Sequence, residues 1–182
     1  MSPDATHDAP DALPPTRDAS LRRRLAATVY EALLLTALAI LVGFVTLPSV
    51  GPRPASVALN APIPLPSPMG RATSFAALFL AWGIYCVGFW SAGRRTLPMR
   101  TWKLVLETRR GTPVGFRMAG LRYVACWIGP ACAIGAYVML LPHGAGPWAI
   151  LLVGVNYAWA LLDPERQFLQ DRVAGSRLRM QK

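Results

Sequence analysis

Histidine is almost missing from this chain. The 182 residues hold two, His7 in a polar amino-terminal stretch and His143 in a short loop, so no histidine cluster is available to ligate zinc. Cysteine is nearly as scarce. Cys86, Cys126 and Cys132 are odd in number, lack CxxC spacing and all fall in apolar stretches, which reads as small apolar packing rather than a disulfide or metal framework. No nucleophile stands beside a base and no metal-ligand set is visible, so neither an enzyme nor a cofactor is expected. Acid is also in short supply, with nine Asp and Glu against 19 Lys and Arg and a net charge of +10. Such a balance can serve nucleic acid, but no helix-turn-helix, RNP-type or zinc-finger pattern accompanies it, and nucleic acid is not an expected partner.

The most informative absence is that of basic charge from four long segments. Hydrophobic residues make up 53% of the chain and mean hydropathy is +0.34, high for a soluble fold carrying +10. The two facts coexist because the residue types are segregated: no Lys or Arg falls in 26–47, 72–93, 123–141 or 144–162. At 1.5 Å rise per residue each stretch approaches the thickness of a hydrocarbon core, roughly 30 Å. The expected fold is therefore an all-α membrane protein with four transmembrane helices.

Composition also divides the rest. Residues 1–20, rich in Pro, Asp, Ala and Thr without hydrophobic period, predict a disordered cytoplasmic tail. They do not resemble a secretory signal, because the first apolar run starts only at Ala26 and continues for a full span. The membrane domain is expected over 21–182. Seven prolines in 48–71 predict an extended periplasmic loop. In the basic loop 94–122, Trp102, Leu104 and Leu106 alternate with Lys103, Val105 and Glu107 ahead of the turn-like Arg110-Gly111-Thr112-Pro113, which predicts a short strand or β-hairpin on the cytoplasmic membrane surface. In the tail 163–182, Asp163 suits an N-cap, Pro164 a first turn and Gly175 a carboxyl cap. With Phe168, Leu169, Arg172 and Val173 at three- and four-residue spacing, that predicts a short interfacial helix.

Orientation follows from the loops. The two tails and the 94–122 loop carry 17 of the 19 basic residues, and the two opposite loops share only Arg53 and Arg71. Because Lys and Arg stay cytoplasmic, both termini and the central loop are expected inside, in a multi-pass protein of a bacterial-type inner membrane. The bilayer and anionic headgroups at that face are the expected partners. Four spans are few to enclose a path, so a transporter of this size calls for a homo-oligomer or a membrane-protein partner.

Glu31 is the only ionised residue inside the four segments. A carboxylate in hydrocarbon costs on the order of a few kcal/mol unless neutralised or paired. Two readings stay open. It holds helices together through a residue such as Thr28, Asn156 or a tyrosine, or it exchanges protons or cations in a hydrated cavity. Arg24 lies seven residues earlier on the same helical face, about 10 Å along the axis. Asn156, mid-way along the fourth segment, is expected to make an interhelical hydrogen bond.

These residues carry a family resemblance. Arg24-Leu25-Ala26 followed by an acid seven positions after the arginine, Gly111-Thr112-Pro113-Val114, and Gln170-Asp171-Arg172-Val173-Ala174-Gly175-Ser176 are together similar to the opening, middle and closing motifs of the RDD family of bacterial membrane proteins. The likeness spans about residues 20–180, with Glu31 standing where the family has aspartate. The likeness implies transport, including cation/proton exchange; a non-transporting scaffold or accessory subunit is the alternative. Because the topology places Arg24, Asp171 and Arg172 near the cytoplasmic face, a polar cluster of Arg24, Glu31, Asp171 and Arg172 is expected there, with Asp171 neutralising Arg24 and Glu31 just above.

Overall fold

The computed structural model describes residues 19–50 and 66–181. The expected disordered tail, apart from its last two residues, and most of the expected Pro-rich loop lie outside the described residues.

Three helices are long and apolar enough to cross a membrane: Leu21–Leu47, Pro68–Trp90 and Phe116–His143. The first belongs to α1 (Leu21–Val50). Helix α2 (Pro68–Trp90) starts where Ser67 accepts the Gly70 N–H at 3.0 Å and Pro68 fills a position whose N–H would have no partner. It is stapled to α1 at mid-length, where the Trp82 indole N–H donates to the Leu35 carbonyl at 3.0 Å. Outward side chains such as Leu33, Phe44, Ile84 and Val138 are exposed apolar surface, the covering a lipid-facing helix needs.

The third helix is two pieces, α4 (Phe116–Cys126) and α5 (Ile128–Leu140), broken at Trp127. It begins seven residues earlier than apolarity alone indicates. The fourth expected span is a shorter apolar stretch, Gly146–Leu162, made of a 3-10 helix, Gly146–Gly154, running into α6 (Val155–Leu162). It folds back along α5, and the close approach is made at Gly129, where an added Cβ would lie 2.5 Å from the Val153 carbonyl oxygen.

The basic loop holds the expected short strand, but not as a hairpin. After the short helix α3 (Leu97–Thr101), strand β1 (Leu104–Thr108) pairs antiparallel with β2 (Ser176–Met180) from the far end of the chain, Leu106 opposite Leu178. The turn predicted at 110–113 does form, with the Thr108 N–H bonded to the Thr112 carbonyl at 2.8 Å, but it leads to a single bridge, Glu107 with Pro113. The alternation was informative, since Leu104 and Leu106 are fully buried. Their partner is β2 because Leu178 completes the same apolar cluster, with Ala27, Trp90 and Met99, that closes this end of the helices.

The interfacial helix is corrected as well. Only α7 (Leu169–Ala174) is helical, ending as expected at Gly175 in the left-handed region (φ 68°). Asp163 ends α6 instead of starting α7, and its carboxylate accepts the Gln167 N–H at 2.8 Å. Phe168 turns inward, 1% exposed and edge-on to Tyr157 at 5.2 Å, so the segment packs on protein, against α4, rather than floating on lipid.

Candidate functional site

Where α1 begins, α2 ends and α4 runs into α5, inward side chains of nearly every element surround a cavity of about 210 Å³. The helical periodicity of α1 places Arg24, Ala27 and Glu31 on its wall, at spacings of three and four residues. Ala27 leaves the room that the two longer side chains share.

Glu31 is only partly satisfied. The Thr96 hydroxyl donates to its Oε2 at 2.8 Å, while the same hydroxyl oxygen accepts the Met99 N–H as the N-cap of α3. Thr96 is fully buried, so its donor has been committed to the carboxylate. Tyr85 adds a second side-chain hydrogen-bonding contact to the carboxylate and Arg122 an electrostatic one, while Glu31 Oε1 is buried with no hydrogen-bond partner among the described residues.

Asp171 does not take the arginine foreseen for it. Arg122 from α4 gives it Nε at 2.7 Å, both side chains buried, and lays its guanidinium over the Trp90 ring at 4.1 Å from the centroid. Arg24, also buried, donates to the backbone carbonyls of Arg166 at 3.1 Å and Leu178 at 3.3 Å. It thus ties the start of α1 to the segment before α7 and to β2. Arg172 faces away, bonding Asp163 at 2.8 Å and Glu165 at 3.2 Å. Of the four residues expected to cluster, Arg24 and Glu31 line the cavity, Asp171 stands behind it through Arg122, and Arg172 belongs to a surface network.

That network acts on Asp163, just beyond α6. Burial pushes its carboxyl up, but the Gln167 N–H, the Arg172 guanidinium and the Glu165 N–H outweigh this and hold it below the ordinary aspartate range.

Asn156 serves the break in the third helix. Pro130 has no N–H to give the carbonyl of Cys126, four residues earlier, and Asn156 Nδ2 supplies the missing donor at 2.9 Å, with a second bond to Ala125 at 3.1 Å. The expected interhelical bond is present, with backbone rather than side chains as its acceptor.

Arg122, Thr96, Trp90 and Gln170 are the site residues that sequence reasoning missed. Arg122 counted as one of eight basic residues in a loop. A signal existed: Ala119, Arg122, Tyr123 and Cys126 share one helical face, and a helix begun at Phe116 carries Arg122 inward. Among the described residues no three of His, Cys, Asp and Glu come together to hold a metal.

The family model described as "RDD family" matches residues 18–175, so the chain belongs to the RDD family. No curated protein and no solved structure matches it.

Proposed function

We propose that this RDD-family chain is a multi-pass inner-membrane protein, both termini cytoplasmic, that exchanges a proton for a cation at Glu31. The observation that carries the reading is the incomplete satisfaction of a carboxylate whose residue lines a cavity: Oε2 takes the Thr96 hydroxyl and Oε1 is buried without a hydrogen-bond partner among the described residues. A carboxylate kept only for structure gains most by satisfying both oxygens, since an unsatisfied buried acceptor costs about 1–3 kcal/mol. One left open at membrane depth has its vacancy met by whatever enters: a proton or a cation.

Four crossings remain the topology we favour, because 3-10 residues rise about 2.0 Å each. With nine residues in that form and eight in α6, the stretch Gly146–Leu162 extends about 30 Å, enough for the hydrocarbon core. The basic residues of the tails and central loop then contact anionic headgroups at the cytoplasmic face. We expect the working unit to be an oligomer, since so few spans enclose little by themselves.

The test is cation-driven proton movement in proteoliposomes containing the full chain, followed with an internal pH dye across several alkali cations and primary organic ammonium ions. Glu31→Gln should abolish it while leaving the thermal unfolding midpoint near that of the wild type. Flux that survives the substitution rejects the site, and a folded wild type without flux returns the chain to the scaffold or accessory reading. Reporter fusions at Asn60 and Thr108 check the orientation, which fails if the first reports cytoplasm.

A further inference from the structure

Resting on the exchange reading of Glu31, we infer that the cation the cavity takes is a small primary organic ammonium with an apolar or aromatic body. Glu31 Oε1, Gln170 Oε1 and Trp90 Nε1 are buried polar atoms of lining residues with no hydrogen-bond partner among the described residues. Two are acceptors. Gln170 is 3% exposed, so water outside the protein does not satisfy it. An occupant that fits must donate hydrogen bonds and bring positive charge to Glu31, and an ammonium group carries three donors.

The same lining excludes the simplest alternatives. One carboxylate oxygen and one amide oxygen are far short of the six or more oxygens that a hard metal cation collects. Most of the rest of the wall is apolar, with the rings of Trp82, Tyr123 and Trp127 on it, which suits an organic cation through apolar contact and the ring faces. The Trp90 face is already taken by Arg122. An anion is disfavoured because the two arginines of the lining are engaged before it arrives: Arg122 by Asp171, Arg24 by the carbonyls of Arg166 and Leu178. Size agrees, as about 210 Å³ exceeds the roughly 150 Å³ that accommodates benzene.

The experiment titrates the full chain, in nanodiscs of uncharged phosphatidylcholine, with benzylamine, benzyl alcohol, benzoate and sodium at pH 7, reading tryptophan fluorescence and thermal shift. Benzylamine should saturate and bind at least tenfold more tightly than benzyl alcohol. Glu31→Gln should weaken benzylamine at least tenfold and Gln170→Leu severalfold, both leaving benzyl alcohol unchanged. Should Glu31→Gln fail to fold, Glu31→Asp carries the test, since drawing the carboxylate back by one methylene must weaken benzylamine severalfold. Equal binding of the alcohol, preference for benzoate, or indifference to Glu31 and Gln170 each overturns the inference. Sodium-driven proton movement that depends on Glu31, without benzylamine binding, overturns the amine and leaves proton exchange standing. Benzylamine binding with no Glu31-dependent proton movement supports the amine site and overturns exchange.

Discussion

The Nε of Arg122 lies 2.7 Å from Oδ1 of Asp171, and both side chains are buried, so the second half of α4 is bound to α7, 49 residues later, by a charge pair withdrawn from solvent. Removing one member leaves its partner's charge buried alone. Asp171→Asn or Arg122→Met should therefore cost about 3–5 kcal/mol each. The double substitution Arg122→Met/Asp171→Leu should cost well under the sum of the two. Chemical unfolding in micelles measures all three, and additive losses would show that the pair is not coupled.

Asn156 compensates for Pro130, and the two should be coupled likewise. Asn156→Leu strips donors from the Ala125 and Cys126 carbonyls and should cost about 1–2 kcal/mol. Pro130→Ala restores an N–H at position 130 that can reach the Cys126 carbonyl along the helix, so the same Asn156→Leu change should cost less in that background. An equal cost in both backgrounds contradicts the compensation.

Gly129 is a glycine for reasons of space. A Cβ there would stand 2.5 Å from the Val153 oxygen and 3.2 Å from that of Leu152, backbone atoms with nowhere to go. Gly129→Ala should destabilise by about 1–3 kcal/mol. Gly135, six residues on with nothing within 4 Å of its would-be Cβ, is the control. Gly135→Ala should be neutral or stabilising by up to about 1 kcal/mol, since alanine is the better helix former.

Asp163 makes stability depend on acid. Its folded carboxyl sits below the ordinary range, so its contribution is complete above the unfolded value, about 3.9, and is lost as pH falls through the lower folded one. The thermal midpoint of the wild type should fall more steeply between about pH 5 and pH 3 than that of Asp163→Asn, and the two should converge at the acid end. Parallel curves would remove Asp163 from the account.

Much of this was legible without coordinates where a signal is local. Gly175 at the end of α7, the turn at 110–113 and the apolar face of β1 were each read from neighbours within a few residues. The misreadings share a different cause. Asp163-Pro164 has the chemistry of a helix start, but Asp163 is drawn into ending α6 while Phe168 is pulled inward onto Tyr157. Arg122 was lost in a count of loop charges because the boundary of the third helix, not the residue type, decides whether an arginine at that position points to water or to Asp171.

The sequence by itself marked four apolar segments, three of which are helices long enough to cross a membrane, with the basic residues outside them and Glu31 as the one charge within. Length, hydropathy and charge position are one-dimensional quantities, and the bilayer responds to them directly. Which residues meet was decided only by the tertiary structure: β2 returning to β1, Arg122 rather than Arg24 for Asp171, and Thr96 closing one oxygen of Glu31 while the other stays open. Those choices depend on burial and on unsatisfied partners across 49, 65 and 72 residues of chain, between Arg122 and Asp171, Glu31 and Thr96, and Leu106 and Leu178, distances over which sequence pattern carries no geometric information.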